Sequence, residues 1–377
     1  MINTYFNFFD VLSLFGGFIA LCLACVLIFV DKFRTKANIA IAIILFSVFL
    51  SILQNILWGN LEAINRERFR YYFPNFYILL MPLGFYYTII FLLNPKYLFK
   101  QKDYFLIIPL LFTVATDAIF LFLYLFKTEV IEINSNAIKW YSNYFINAIL
   151  LIYFFILLPI SWKKLNTYQK QLLNNFSFIE DKSLDWIRKI ILIIFVILFV
   201  LIALLISRIY FPTYELTFSY LLNLLISALI CFITFRFTVN QKFYLVPDFQ
   251  DKNDNISLSK PLSEKADEHY QLLLNLMTQE KLYQDAELNM DTLSTKVQLS
   301  KGYLSKIINQ KEGKNFYDFV NYFRVEEVKN NLNNPDYAHY SILGIGLAAG
   351  FKSKSTFNTV FKKMTKMTPS VYKKTFK

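Results

Sequence analysis

Seven long runs with almost no charged residue fill the first 240 positions, and they constrain this chain more than any other feature. They cover residues 11–30, 38–58, 71–93, 104–126, 144–162, 190–207 and 216–235. Each run has about 18–23 residues, and a helix of that length crosses a hydrocarbon core of roughly 30 Å. The sequence therefore predicts an all-α chain whose residues 11–240 form a seven-helix transmembrane bundle.

Basic residues in the short connections predict the orientation of the bundle. Twelve Lys and Arg residues lie in the first, third and fifth connections, against six in the second, fourth and sixth. Because Lys and Arg concentrate in cytoplasmic loops, residues 1–10 are expected outside and the C-terminal part in the cytoplasm. We therefore expect a multi-pass protein of the bacterial cytoplasmic (inner) membrane.

Polar residues inside the runs are the candidates for reception of a signal. Asp117 lies near the middle of the fourth run, where an ionisable side chain is costly and normally paired or functional. Asn55, Asn147 and Asn223 also lie deep in their runs. Either these side chains form hydrogen bonds between helices, or Asp117 belongs to an intramembrane site for a ligand or a proton.

The sequence lacks the residue patterns of catalysis. All three cysteines lie in apolar runs, and the two histidines, His269 and His339, are far apart. Cys22 and Cys25 have no second ligand pair, so we expect them to pack as small residues. We find no nucleophile–base pattern and no phosphate-binding glycine loop. We therefore expect no enzyme activity, no metal and no cofactor.

A polar stretch over 241–264 follows the last apolar run and is expected to be a flexible linker with an r.m.s. span of about 25–30 Å. An apolar stripe of helical period then returns in Ala266, Tyr270, Leu273, Leu274 and Met277. This helix either packs on the core of a domain over 265–377 or forms a dimer contact.

The connection 163–189 mixes charged residues with apolar ones: Leu172, Phe176, Phe178, Leu184 and Trp186. Such a mixture is typical of a short interfacial helix at the cytoplasmic surface. It either anchors the bundle or touches the soluble domain, and both interpretations remain open.

Residues 291–310 have the pattern of a helix, a short turn and a second helix. We expect Asp291 to cap the first helix, Gln298-Leu299 to lead into the turn and Ser300 to cap the second helix. The inward residues of the second helix are then Leu304, Ile307 and Ile308. Its outward residues, on the face that fits a major groove, are Lys301, Gly302, Ser305, Lys306 and Asn309.

A second unit of the same kind occupies 341–363, after a long helix over 315–332 that Asn334-Pro335 ends. Ser341 starts this unit, Gly350-Phe351 forms its turn and Ser353 caps its second helix. The inward residues of that helix are Phe357, Val360 and Phe361, and the outward ones are Lys354, Ser355, Asn358, Thr359 and Lys362. Two such helices roughly 34 Å apart would enter successive major grooves.

The charge of this region is strongly positive. From Asp291 onward there are 15 Lys and Arg against 6 Asp and Glu, a net charge of +9, and from Ile345 onward the sequence has eight lysines and no acidic residue. Anionic lipid would also attract such a cluster. Because the lysines lie on and around a capped helix, we expect them to contact DNA phosphates.

Several positions carry a family resemblance: Ser300, Tyr303-Leu304-Ser305, Arg324, Gly350-Phe351, Ser353, Ser355, Phe357, Phe361-Lys362-Lys363, Thr368-Pro369 and Tyr372. With them, residues 288–374 resemble the AraC/XylS family of transcriptional regulators. Together with the seven runs, the chain resembles the membrane-bound members of that family.

The resemblance implies base contacts from the outward faces of both second helices: Gly302, Ser305, Lys306, Lys354, Ser355, Asn358 and Thr359. Phosphate contacts are expected from Ser300, Lys301, Ser353, Lys362 and Lys363. Three features depart from the family pattern. Gly302 has no side chain, Val328 replaces the usual Ala, and Gly344 and Gly346 each cost their helix about 1 kcal/mol relative to Ala. The second unit is therefore expected to be the looser one.

These features predict a membrane-anchored, sequence-specific DNA-binding regulator or activator of transcription that responds to a membrane-associated signal. The expected partners are double-stranded promoter DNA, the lipid bilayer, RNA polymerase, a second copy in a homodimer, and an unidentified signal ligand or partner protein. The alternatives are a transporter with a regulatory cytoplasmic domain, and a receptor whose helix-turn-helix region binds protein. Few paired charges and no broken-helix repeat argue against transport.

Overall fold

A computed structural model describes residues 8–60, 75–125, 145–210 and 265–375, and within these ranges the chain is helical without a strand. The all-α expectation is confirmed for this part of the chain. The chain divides into two compact units. One contains Met1–Leu165 and Asp185–Val246, and the other contains Asn166–Leu184 and Pro247–Lys377.

Within the described residues, the first unit consists of helices, most of them apolar. They are α1 (Phe8–Phe29), α2 (Lys36–Asn60), α3 (Leu80–Leu93), α4 (Gln101–Phe105), α5 (Ile108–Leu125), α6 (Ile146–Asn175, whose last ten residues belong to the other unit) and α7 (Asp185–Tyr210). In the part of the chain that the structure describes, five helical stretches are long and apolar enough to cross a membrane: Asp10–Phe29, Lys36–Leu57, Phe76–Leu93, Ile146–Asn175 and Asp185–Ala203. They correspond to the first, second, third, fifth and sixth predicted runs.

The fourth predicted run is not one helix. Residues 104–126 begin in the short helix α4, pass through a turn and continue in α5. Pro109 explains the break, because it has no N–H for a hydrogen bond to the preceding turn. The seventh run, Asn223, Cys231 and the linker over 241–264 lie outside the described residues, so the count of seven spans stays a prediction.

Small residues bring the first helices together. Ala20 and Ala24 of α1 and Ala42 of α2 are buried where these two helices pack. A Cβ on Gly84 of α3 would lie 2.7 Å from the Ile44 side chain of α2. Close backbone approach of this kind is typical of packing between membrane helices.

Asp117 of α5 has a structural partner. Its Oδ2 accepts the backbone N–H of Asn75 at 2.8 Å and that of Phe76 at 3.0 Å, where a 3-10 turn over Phe76–Leu79 begins. Asn55 donates to the Ser51 carbonyl of its own helix at 3.0 Å. The bonds of Asp117 support the hydrogen-bonding interpretation of this residue.

The second unit contains seven further helices within the described residues. They are α8 (Ala266–Thr278), α9 (Met290–Val297), α10 (Lys301–Glu312), α11 (Phe316–Asn333), α12 (Ile342–Ala348), α13 (Lys354–Thr365) and α14 (Pro369–Lys374). Leu273 and Met277 of α8 are fully buried in one cluster with Leu293 and Leu304. Of the two interpretations of this helix, the structure supports packing on the core of this domain.

Helix α11 contributes to two separate cores. Phe316, Phe319 and Val320 from its first half are buried with α8, α9 and α10. Val325 and Val328 from its second half are buried with α12 and α13. One helix of 18 residues, about 27 Å long at 1.5 Å per residue, therefore fixes the two helix-turn-helix units to each other.

Side-chain caps begin these helices, and those at Ser300 and Ser353 lie where the sequence predicts them. Ser300, Ser341 and Ser353 accept the N–H three residues later, as does Asn315 at the start of α11. The expected cap at Asp291 is wrong, because Asn289 accepts the Thr292 N–H and Asp291 lies in the first turn of α9.

Candidate nucleic-acid interface

The first helix-turn-helix unit consists of α9, a tight turn and α10. Gln298 forms the turn with a left-handed backbone, φ +55°, and the Leu299 N–H donates back to the Ser294 carbonyl at 3.1 Å. Ser300 then starts α10 by accepting the Tyr303 N–H at 3.3 Å. Leu304, Ile307 and Ile308 are fully buried, which confirms the predicted inward face.

The outward face of α10 differs from the prediction at one position. Lys301 and Asn309 are exposed, and Gly302 and Ser305 are half-buried. Lys306 is only 3% exposed, so the expectation that it lies on the outward face is wrong. Helical periodicity places Lys306 beside Ser305, but other parts of the structure cover its side chain. Its contact with a base is not available in this conformation.

The second unit turns at Gly350, whose φ is +97°. A Cβ at this position would lie 2.8 Å from Gln284 Cα, in the loop that precedes α9. The Phe351 N–H donates to the Gly346 carbonyl at 3.1 Å, which closes the end of α12. Only glycine combines this backbone conformation with such a close neighbour, so the predicted turn has a steric cause.

Gly346 has a packing function that the sequence did not reveal. A Cβ there would lie 2.9 Å from the ring of Phe357. The glycine therefore lets α12 and α13 approach closely, and Phe357 is buried against it. We expected this glycine to loosen the second unit, whereas the structure shows a contact that a larger residue would disrupt.

The outward face of α13 is exposed as predicted. Its exposed residues are Lys354, Ser355, Asn358, Thr359, Lys362 and Lys363. Lys363 pairs with Asp318 of α11 at 2.7 Å, an exposed contact of the kind that contributes little stability. This face presents lysines, hydroxyls and an amide, the donors that contact phosphates and base edges.

Arg324 lies on α11 between the two helix-turn-helix units and is 1% exposed. Its Nε donates to the Tyr283 carbonyl at 2.7 Å, and its Nη2 donates to the Asp285 carbonyl at 2.8 Å. The guanidinium carbon also lies 5.9 Å from the ring centre of Phe351. Burial lowers the pKa of Arg324 to about 10, so the side chain stays charged near neutral pH and needs these acceptors.

Ser177 supplies further acceptors to Arg324. The Ser177 carbonyl accepts from Arg324 Nη1 at 3.2 Å, and its hydroxyl accepts from Nη2 at 3.1 Å. The Ser177 hydroxyl and N–H both donate to the Leu288 carbonyl, at 2.6 and 3.2 Å. Asn321 donates to the Ser177 carbonyl at 3.4 Å. Ser177 is therefore built into the core of the helix-turn-helix unit.

We call residues 176–181 the docking segment. It follows α6 directly, and no separate interfacial helix forms there, because residues 166–175 continue α6. Of the two interpretations of the connection 163–189, the structure supports contact with the helix-turn-helix domain.

The docking segment also touches the start of α13. The Glu180 carboxylate accepts hydrogen bonds from the hydroxyls of Ser353 and Thr356, the latter at 2.8 Å. Burial raises the pKa of Glu180, but hydrogen bonds from Ser353, Thr356 and Ser355 outweigh it, so the pKa is lowered overall. The carboxylate is therefore ionised at neutral pH.

Lys352 contacts two further residues of the docking segment, Phe178 and Asp181. Its Nζ lies 4.9 Å from the ring centre of Phe178 and 3.8 Å from the Asp181 carboxylate, and it also pairs with Glu287.

From the sequence we missed the contacts of Ser177 and Glu180 with the helix-turn-helix domain, and we assigned no structural role to Arg324. The available signal was Arg324 itself, a charge on the same helical stripe as Val320 and Val328.

Comparisons with known proteins find similar transcription factors, and one of them locates the similarity in this region. A family model described as a helix-turn-helix domain matches residues 293–375. The probable transcription factor PqrA of Proteus vulgaris is 31% identical over 93 residues, which are 25% of this chain and 74% of that protein. Uncharacterised HTH-type transcriptional regulators of Staphylococcus aureus strains COL and MSSA476 are each 33% identical over 93 residues.

The match covers 25% of this chain but only 12% of the two Staphylococcus aureus proteins. No solved structure matches the chain significantly. The family model covers the chain from within α9 to the end of α14, and these relatives are themselves described as a transcription factor or as transcriptional regulators. The chain belongs to the family of transcriptional regulators that carry an AraC-type helix-turn-helix domain.

Proposed function

We propose that the chain is a membrane-anchored transcriptional regulator that binds double-stranded promoter DNA through α10 and α13. The exposed face of α13 carries this proposal. It presents Lys354, Lys362 and Lys363 with small polar residues between them, on a helix that Ser353 caps and a buried aromatic core holds in place.

We assign the contacts with DNA bases and phosphates to the exposed residues of α13 and to the start of α10. Ser355, Asn358 and Thr359 point outward with Lys354 and reach base edges when α13 lies in a major groove. Lys362 and Lys363 contact phosphates at the groove edge, and Lys301 with Ser300 does so at the start of α10. Gly302 allows close backbone approach, and Ser305 is the base contact that we retain on α10.

The apolar helices support the membrane part of the proposal. We infer seven spans, with residues 1–10 outside and the helix-turn-helix domain in the cytoplasm, where it meets the chromosome and RNA polymerase. A membrane-associated signal changes the domain or its association into a homodimer. Because two backbone N–H groups bind its carboxylate, we assign Asp117 a structural role and leave the signal site unassigned.

The test uses the full chain in lipid nanodiscs and compares two lysine-to-alanine variants. Lys354→Ala removes a charge from the proposed interface. Lys329→Ala removes the same charge from α11, where Lys329 pairs with Glu326 at 2.8 Å. Affinity for genomic DNA fragments is measured against salt. Each phosphate contact contributes about 0.9 to the slope of log K against log salt.

We expect Lys354→Ala to weaken binding several-fold and to reduce the salt slope by about 1 if it contacts a phosphate, or to relax the sequence preference if it contacts a base. Lys329→Ala should change neither. Equal behaviour of the two variants, or no preference of the wild type for any fragment, would contradict the proposal. Retention of a protein ligand without DNA binding would favour a protein-docking role for the domain.

A further inference from the structure

The contact between Glu180 and α13 lies at a helix end that favours anions. Unpaired backbone N–H groups give the first turn of a helix a partial positive charge. At α13 the hydroxyls of Ser353 and Thr356 add two donors, and both are used by the Glu180 carboxylate. A DNA phosphate carries the same charge and the same kind of acceptor oxygen.

Ser353 connects this contact with DNA binding. It caps α13 by accepting the Thr356 N–H at 3.0 Å, and it is one of the expected phosphate contacts. The next residues, Lys354 and Ser355, begin the exposed face of the helix. A phosphate that bound Ser353 would therefore take the place where the Glu180 carboxylate now lies.

We infer that Glu180 occupies the phosphate position at the start of α13, so that the docking segment and DNA compete for this helix end. The inference rests on the proposed function and adds its regulation. The docking segment is the part of the chain that links α6 to α7, two helices with the length and composition of membrane spans.

Other residues of the docking segment keep Glu180 beside α13, and their contacts do not involve the Glu180 side chain. Ser177 is bonded to Arg324 and Leu288, and Phe178 and Asp181 lie near Lys352. These contacts keep the segment beside α13 while the exposed Glu180 carboxylate can be displaced. A change in α6 or α7 that moved the segment would free the helix end for DNA.

The test compares Glu180→Gln with Asp181→Asn in the full chain in nanodiscs. Both substitutions remove one negative charge from adjacent residues, but only Glu180 binds the start of α13. Glutamine still accepts a hydrogen bond, so folding is preserved. The probe is a labelled random-sequence duplex of about 30 base pairs, roughly three helical turns, whose binding depends mainly on phosphate contacts.

We expect Glu180→Gln to tighten binding about three- to tenfold more than Asp181→Asn does, as replacing a charged by a neutral hydrogen-bond acceptor at an exposed site implies. In a Thr356→Val background, which removes one of the donors, this difference should shrink. Equal effects of the two substitutions, weaker binding by Glu180→Gln, or an unchanged difference in the Thr356→Val background would overturn the inference.

The proposed function and the inference fail in different ways. If the wild type and all variants leave the duplex unbound, the proposed function falls and the inference falls with it. If all proteins bind and Glu180→Gln behaves like Asp181→Asn, only the inference falls.

Discussion

Gly350 and Gly313 both have a left-handed backbone, with φ of +97° and +65°, but their surroundings differ. A Cβ on Gly350 would collide with the backbone at Gln284, whereas a Cβ on Gly313 meets no atom within 4 Å. Substitution of the two glycines by alanine therefore distinguishes the free-energy cost of the left-handed backbone from that of the steric clash.

We expect Gly350→Ala to destabilise the second helix-turn-helix unit by about 3 kcal/mol or more, because the clash adds to the strain of the left-handed conformation. Gly313→Ala should cost only about 1 kcal/mol. Hydrogen exchange of α12 and α13 in the full chain measures the difference. Similar protection of these helices in the two variants would show that Gly350 has room for a side chain.

At individual residues, sequence reasoning succeeds where a local rule decides. Ser300 and Ser353 are caps as predicted, because a hydroxyl three residues before a free N–H is a local arrangement. Lys306 could not be placed in this way. Periodicity gives the face of a helix on which a residue lies, and burial depends on what else covers that face.

At the scale of elements, α8 lies outside both helix-turn-helix units but packs into the core of the first one. Leu272 and Leu273 are neighbours with the same side chain, but Leu272 is 44% exposed and Leu273 is 0% exposed. Leu273 packs in the core that contains Leu293 and Leu304, so it connects α8 to the first recognition helix.

Leu273→Ala should destabilise the first unit by about 2–5 kcal/mol, the usual cost of a cavity in a packed core. Leu272→Ala should stay within about 0.5 kcal/mol of the wild type. Chemical denaturation of the full chain, followed by the fluorescence of a probe attached to α10, measures both. A larger effect of Leu272→Ala would indicate that the exposed side of α8 carries the more important contact.

The docking segment marks the limit of prediction at this scale. Helical periods along the chain placed α9 to α13, and Pro109 gives a local reason for the break between α4 and α5. The bonds between Ser177 and Arg324 join residues 147 positions apart. No local sequence pattern encodes such a pair. The one available indication is that an arginine on a buried helical stripe requires hydrogen-bond acceptors.

For the whole molecule, composition alone separates an apolar half from a basic half. Among the described residues, five of the predicted uncharged runs form helices that are long and apolar enough to cross a membrane, because length and lack of charge are sufficient for that prediction. Orientation rests on Lys and Arg counts in the connections and stays a prediction. The helix-turn-helix assignment rests on local turns and caps, and the family match agrees with it.

The most direct test of the central claim maps the chromosomal sites that are crosslinked to the chain in membrane fractions of living cells. We predict discrete promoter sites for the wild type and for Lys329→Ala, and loss of most of these sites for Lys354→Ala. A membrane-bound protein with no enriched site, or with the same sites in all three forms, would contradict a regulator that binds promoters through α13.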